Sequence, residues 1–255
     1  MKETIYTIPI NEAYDENCEC PLCFLYSRLE KEAVEYALGA AMMEPDYRIE
    51  SNKKGFCNKH FSMLFSSPNK LSLALVLDTH LEQFRSELAQ ITDNAENLKS
   101  AKGGFFRKNS SVSDFAAKLD TFSAAGANSC IICDKINHTM SRYIDLIVEM
   151  WKSEPDFRKK FENSKGACLP HFAALVKTAS SKLNASDAGE FIAFLAETEN
   201  TEFKRIQDDI HKFTLKFDYR NKDMEWGTAK DAPIRTIEKL SGSILKEFQK
   251  NKTNV

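Results

Sequence analysis

Eight side chains in this sequence have the types and spacings of metal ligands. Cys20-Pro21-Leu22-Cys23 and Cys130-Ile131-Ile132-Cys133 are Cys-x-x-Cys pairs, and Cys57 with His60 and Cys168 with His171 are Cys-x-x-His pairs. Taken in chain order, Cys20, Cys23, Cys57 and His60 make one set, and Cys130, Cys133, Cys168 and His171 the other. Three thiolates and one imidazole suit tetrahedral Zn²⁺, with bonds near ~2.3 Å to sulfur and ~2.0 Å to nitrogen. Four protein ligands leave no position for water or substrate, so the reading is closed structural zinc: two ions per chain, one per set, with no ligand shared. A two-residue gap lets both members of a pair reach one ion. Placing each pair at a helix start adds free backbone N–H groups and partial positive charge, both of which favour thiolate.

The same residues admit other chemistries. A Cys3His set can hold an iron–sulfur cluster, since ligand softness alone does not choose the metal. Cys20–Cys23 has the form of a thiol–disulfide motif, but that reading wants a βαβ context and leaves His60 and His171 unexplained. Disulfide staples fit poorly with seven cysteines, an odd number. Cys18 has Asn128 as its counterpart in the second set and reads as a spare thiol, with ligand exchange or oxidation sensing as the sharper alternatives. His80, His138 and His211 lie in helical patterns and read as surface or partly packed histidines. Phe61 and Phe172, next to the histidine ligands, are expected to pack over the metal. Arg48 and Arg158 read as helix-capping or carboxylate-pairing residues. Lys102, Arg107 and Lys108, with Phe105 and Phe106, are too few charges for a nucleic-acid surface and read as a solvated linker. No phosphate loop, no serine–histidine–acid arrangement and no open metal position is found, so no catalytic residue and no enzyme activity is assigned.

The elements that carry these ligands are repeated. Glu44-Pro45-Asp46-Tyr47-Arg48 matches Glu154-Pro155-Asp156-Phe157-Arg158 at the offset of 110 that relates the two Cys-x-x-Cys pairs. After one inserted residue, Asn52, Lys54, Gly55, Cys57, His60, Phe61 and Leu64 match Asn163, Lys165, Gly166, Cys168, His171, Phe172 and Leu175. Order, spacing and chemistry agree, which reads as an ancient duplication.

The periodicity is helical throughout. Ile136, Met140, Tyr143, Ile144, Ile147, Val148 and Trp151 form a one-sided stripe, as do Leu25, Leu29, Ala33, Tyr36, Ala37, Ala40 and Ala41. Each of these helices is predicted to stop at its Glu-Pro step, where proline disfavours helix in the preceding residue. Pro45 and Pro155 then open short helices with Asp46 and Asp156 in the first turn. Gly55 and Gly166 permit a tight turn before the second ligand pair. Long helices follow, marked by Leu73, Leu77, Leu81, Phe84, Leu88 and Ile91, and by Phe191, Leu195, Phe203, Ile206, Ile210, Phe213 and Phe217. The linker holds Gly103-Gly104, the serine-rich stretch Ser110–Ser113 and a modest helix through Phe115, Leu119 and Phe122. Pro233 opens a last helix with Ile234, Ile237, Leu240, Leu245 and Phe248 as its apolar positions, and Lys250–Val255 reads as a frayed tail. No sustained alternation suggests a strand, so the fold class is all-α. The expected layout is a first metal-clamped repeat at 1–100, a linker with a short helix at 101–128, a second repeat at 129–220, and a C-terminal helix and tail at 221–255, together one pseudo-symmetric body.

Composition is consistent with that picture. The 255 residues include 35 Lys+Arg and 37 Asp+Glu, a formal net charge of −2, with 42% apolar and 28% charged residues. This is the globular norm, with no general attraction to nucleic acid. The longest apolar run, Phe191 to Ala196, is far short of the ~20 residues of a membrane span. Residues 1–17 hold four acidic side chains and no long apolar core, unlike a signal peptide. Seven cysteines without an export signal point to a reducing, cytoplasmic setting.

The segments Cys20–Cys23 with Gly55–Phe61, and Cys130–Cys133 with Gly166–Phe172, carry a resemblance. The chain resembles an uncharacterised bacterial family, a domain of unknown function with paired Cys-x-x-Cys and Gly-x-Cys-x-x-His-Phe segments, from about residue 3 to residue 248. The resemblance implies a bacterial cytoplasmic protein and brings no activity with it. The functional reading is therefore a zinc-binding, non-catalytic binding or scaffolding protein with a protein partner. Its rival is a thiol- or metal-dependent redox protein or sensor.

Overall fold

The computed structural model describes residues 5–93, 95–98 and 108–242. The linker residues Lys102–Arg107 and the expected helical positions Leu245 and Phe248 lie outside them. Eleven α-helices and four short 3₁₀ turns, with no strand, make up the regular structure of the described residues. The chain is all-α, as its periodicity predicts. None of these helices is long and apolar enough to cross a membrane.

The helices are α1 (Thr7–Asp15), α2 (Pro21–Leu38), α3 (Pro45–Lys54), α4 (Asn58–Ser66), α5 (Lys70–Thr92), α6 (Lys108–Asn128), α7 (Ile131–Ser153), α8 (Pro155–Glu162), α9 (Leu169–Lys182), α10 (Ala185–Leu215) and α11 (Ala232–Ser241). The stops and starts follow local chemistry. Glu44 and Glu154 are extended, as the following proline demands, and Pro45 and Pro155 occupy the first turns of α3 and α8. Asn69 and Asn184 cap α5 and α10 by accepting the backbone N–H of Ser72 and Asp187. Gly55 and Gly166 both take positive φ, 64° and 72°, and turn the chain into α4 and α9.

The chain divides into two compact units. One holds residues 30–137. The other is discontinuous, holding 1–29 and 138–255, and the chain crosses between units within α2 and within α7.

The discontinuous unit has an aromatic core. Trp151 of α7 meets Phe191 of α10 edge-on at 5.0 Å, while Tyr14 of α1 meets Phe157 edge-on and stacks on Phe161 of α8. Arg158 pairs with Glu162 and Glu190, tying α8 to α10. The polar face of α11 is the buried one. Arg235, Glu238 and Lys239 point inward, while the apolar positions Ile237 and Leu240 are exposed.

Unit 30–137 is packed with smaller side chains. Tyr47 and Ser51 of α3 are buried where the second repeat has Phe157 and Phe161. Arg48 donates to the Leu75 carbonyl at 2.8 Å and holds α3 against α5. The stripe read along α5 is buried only at Leu73 near its start, with Val76 beside it. Leu77 and Leu81 are exposed, and Phe84 reaches α6 through Phe122 at 4.8 Å.

Candidate metal centres

All eight expected ligands are brought together, but in exchanged sets. Cys20, Cys23, Cys168 and His171 form one group, and Cys57, His60, Cys130 and Cys133 the other, with the donor atoms of each group within 4.8 Å of one another. The within-repeat pairing read from chain order is therefore corrected: each Cys-x-x-Cys joins the Cys-x-x-His of the other repeat. Helix lengths give the reason. The 18 residues of α2 carry the chain about 27 Å from Cys20 and Cys23, and the 10 residues of α3 can return it by only about 15 Å. The 23 residues of α7 run about 35 Å and the 8 of α8 about 12 Å. Neither repeat closes on itself, whereas Cys130 arrives at a helix start beside Gly55. There the Ile131 N–H donates to the Gly55 carbonyl at 3.2 Å.

In the discontinuous unit, Cys20 immediately precedes α2 and Cys23 lies in its first turn; Cys168 is the N-cap residue of α9 and His171 follows in that helix. His171 Nδ1 lies 3.5, 3.4 and 3.1 Å from the sulfurs of Cys20, Cys23 and Cys168, and the Cys23 and Cys168 sulfurs are 3.4 Å apart. Both Cys20 and Cys168 are buried, and the end of α11 closes over them. Gly242, left-handed at φ 73°, has its carbonyl 3.4 Å from Cys23 Sγ, and a Cβ there would meet Cys168 Sγ at 3.2 Å. Lys239 is fully buried. It donates to the carbonyls of Lys165 (2.5 Å) and Glu19 (3.4 Å) and pairs with Glu199 at 3.0 Å. Glu199 in turn accepts the Ala167 N–H and fills the space a side chain at Gly166 would need.

In unit 30–137, His60 Nδ1 lies 3.3, 3.2 and 3.3 Å from the sulfurs of Cys57, Cys130 and Cys133, and Cys57 and Cys133 are 3.7 Å apart. Cys57 and Cys133 are half-buried, so this centre is the more open at its thiolates. The far ring nitrogen, His60 Nε2, is 3.1 Å from Glu30 Oε1, which also pairs with Lys59 at 2.6 Å. A carboxylate behind a ligating histidine fixes its tautomer and raises its basicity as a ligand. The ring of His80 fills the space beside Gly55, with Nδ1 2.8 Å from the Asn52 carbonyl.

Protonation in both groups is strained in the way a cation relieves. Hydrogen bonds from Cys20 and Cys23 bring the Cys168 thiol down to about 4, while hydrogen bonding and burial push Cys23 far above the thiol range. In the other group burial opposes charge, but hydrogen bonding with His60 lowers Cys130 to about 6, and burial with the neighbouring Cys130 raises Cys133 to about 12. Burial opposes charge on His60 too, but Cys130 and Glu30 raise it to about 10. Glu30 is held below the usual carboxylate range against its burial by His60 and Lys59. Three thiolates cannot share so small a volume unless a positive ion compensates them. Each group can hold a metal ion.

The remaining sequence candidates stand apart. Cys18 is half-buried and belongs to neither group, with burial pushing its thiol up to about 11. His138 and His211 are exposed. Phe61 is half-buried against Phe56 and His80. His80 is partly packed, as its helical pattern suggests, while Glu30, Glu199, Lys239 and Gly242, which stand around the donors, carried no sequence signal: each is a common residue type distant in the chain from the donors it supports.

Residues 1–247 match the model of a family of unknown function, DUF6062, and the chain belongs to that family. No curated protein and no solved structure matches it.

Proposed function

We propose that this member of the family is a bacterial cytoplasmic zinc protein in which both Cys3His groups are closed structural clamps, and that it serves as a non-catalytic scaffold for a protein partner. The observation that carries the reading is the pair of four-donor groups. A tetrahedral zinc with bonds of about 2.3 and about 2.0 Å places ligand sulfurs about 3.8 Å apart and sulfur and nitrogen about 3.5 Å apart. The shortest separations, 3.4 and 3.7 Å between sulfurs and 3.1–3.5 Å to nitrogen, fall within a few tenths of these, and all donors of a group lie within 4.8 Å of one another. Donors this close favour a single ion over a polynuclear iron–sulfur cluster, whose ligands are spread over several irons. All four positions filled by protein favour structure over catalysis. Leu71, Leu75 and Leu81, exposed along α5, support a protein partner.

Bound zinc would tie the first turn of one helix to the N-terminus of another in each unit. Metal analysis of protein purified without chelator, together with its absorption spectrum, tests the proposal. Two zinc ions per chain and no visible absorption are expected. Visible iron absorption, or a disulfide that cycles with mild reductant and excludes metal, would replace the clamp with the redox reading.

A further inference from the structure

Beside the metal centre of the discontinuous unit lies a cavity of about 620 Å³ that the clamp reading does not use. Its walls come from the segment before Cys20, from Lys165 just ahead of the Gly166 turn, from Arg205 of α10, and from the start of α11 with the 3₁₀ turn Gly227–Asp231 that precedes it. Among the lining residues is Glu19, 6% exposed. One carboxylate oxygen of Glu19 accepts from Arg205 at 2.5 Å, but the other, Oε1, accepts no hydrogen bond. The two cations nearest that oxygen, Lys165 Nζ and Arg235 Nη1, are both 3.8 Å away, too far to donate.

This arrangement has a specific complement. A hydroxyl has one proton to donate and two lone pairs with which to accept. Glu19 Oε1 is itself covered, so a hydroxyl reaches it once the Lys165 side chain, one-third exposed and bonded to Asn17 at 2.6 Å, swings outward; it then donates to Glu19 Oε1 and accepts from Lys165 and Arg235. The rest of the cavity favours negative charge on the same molecule. Lys230 is an exposed ammonium on its wall, and the first turn of α11 contributes the positive end of its dipole. The N-cap residue Asp231 directs its carboxylate to Arg235 Nε at 2.8 Å and makes no cap to its own helix. Most other charges here are already matched, Arg235 by Asp209 and Arg205 by Glu202, so the unmet demand is one hydroxyl and one anionic group.

We propose that this cavity is a binding site for a small hydroxylated anion, a phosphorylated polyol or a hydroxy acid, with the hydroxyl held by Glu19, Lys165 and Arg235 and the anionic group by Lys230 and the start of α11. Glu19 and Lys165 sit within a few residues of the ligands Cys20 and Cys168, and their carbonyls both receive Lys239, so the metal centre and the cavity share a wall. The site itself does not require that the ion be zinc.

Calorimetric titration of the full-length protein tests this, with metal content measured on the same sample. The probes are glycerol 3-phosphate, glycerate, propyl phosphate and glycerol. Saturable binding of glycerol 3-phosphate or glycerate is expected, and whichever binds tighter identifies the anionic group. Propyl phosphate, which lacks the hydroxyls, should bind about tenfold more weakly than glycerol 3-phosphate, and glycerol should not bind. Lys230→Ala, a change at an exposed side chain, should weaken the tighter probe about tenfold without altering the melting temperature. The proposal is overturned if neither hydroxylated anion binds at millimolar concentration, if propyl phosphate binds as well as glycerol 3-phosphate, or if Lys230→Ala leaves affinity unchanged. A sample without metal would overturn the clamp reading and leave the titration to judge the cavity.

Discussion

The two metal centres hold identical donors in matching local frames, yet their surroundings are built on opposite electrostatic lines. Around Cys57, His60, Cys130 and Cys133, a carboxylate takes part: Glu30, paired with Lys59, stands behind His60 at 3.1 Å. Around Cys20, Cys23, Cys168 and His171, a buried ammonium takes part: Lys239, paired with Glu199, helps to hold the Cys168 thiol low. The first centre leaves two thiolates half-exposed, while the second lies under Gly242 and the end of α11. The position in the second repeat that corresponds to Glu30, at the offset of 110, is the buried Met140, so the histidine-backing carboxylate belongs to one centre alone in this register. The comparison separates two layers of design. A cysteine or histidine at a helix start places each donor, and that layer is alike in the two groups. The charged side chains around the donors come from distant helices, and that layer differs between the two groups.

The largest effect that could break this comparison concerns which ligands share an ion. Cys23→Ser combined with Cys168→Ser removes two ligands from one centre and should leave one metal ion per chain. Cys23→Ser combined with Cys57→Ser removes one ligand from each centre and should leave none firmly held. Metal analysis of the two double variants after gel filtration decides the matter. The reverse result would restore the within-repeat pairing that chain order suggests.

That pairing shows where sequence reading stops. The eight side chains that cluster were legible, because thiol and imidazole at two-residue gaps have few other uses and occur twice. The stop of α7 was legible too, since Glu154-Pro155 acts through strictly local sterics, whereas α2 ends early, at Leu38, and a 3₁₀ turn at Ala40–Met43 fills the stretch before Glu44-Pro45. Which pair meets which depends on helix lengths: α2 and α3 are rods too unequal for the first repeat to close on itself. The face of α11 was hidden for a different reason. Ile237 and Leu240 mark an apolar side, but the carbonyls of Glu19 and Lys165 and the carboxylates of Glu199 and Asp209 draw Lys239 and Arg235 inward. Buried polar groups must be partnered, and that demand, invisible in a hydrophobicity pattern, decides the orientation. Much of the stripe on α5 misled in the opposite sense, with apolar residues left outside.

A second test sharpens the contrast between the outer layers. Glu30→Gln removes the charge behind His60 and should lower metal affinity at that centre about 10–100-fold, the usual effect of losing such a partner. A Cys168→Ser background leaves this centre alone to be titrated against a competing chelator, and a Cys57→Ser background supplies the other as control. In the control, Glu30→Gln should change nothing. Equal losses in both backgrounds would show that Glu30 acts through general stability.

The glycines offer a smaller but cleaner difference. Both Gly55 and Gly166 adopt positive φ, so alanine strains the backbone at either position. The new Cβ at Gly55 would lie 2.7 Å from the ring of His80, which is half-buried and can swing aside. At Gly166 it would lie 2.3 Å from Glu199 Oε1, held by Ala167 and Lys239 in the interior. Gly166→Ala should therefore cost about 3 kcal/mol and Gly55→Ala about 1–2 kcal/mol in urea unfolding of the metal-loaded protein. The opposite order would mean that Glu199 yields more easily than His80, and that the outer layer of the sealed centre is the softer one.

The smallest expected effect is at Cys18, the one cysteine outside both centres. Its counterpart in the second repeat is Asn128, so the centre formed by Cys130 and Cys133 needs no thiol at that position. If Cys18 is likewise dispensable to Cys20 and Cys23, Cys18→Ser should keep both ions and shift stability by no more than about 0.5 kcal/mol. Alkylation of the native wild type should then reach one equivalent, mapped to Cys18, because six thiolates are occupied by metal and shielded. It should proceed more slowly than with a small-molecule thiol, since burial raises the Cys18 thiol to about 11 and the thiolate is the reacting form. Chelation followed by denaturation should expose all seven. Loss of one ion in Cys18→Ser would instead make Cys18 a fifth donor that exchanges with Cys20. The asymmetry between the centres would then extend inward from the surrounding helices to the coordination itself.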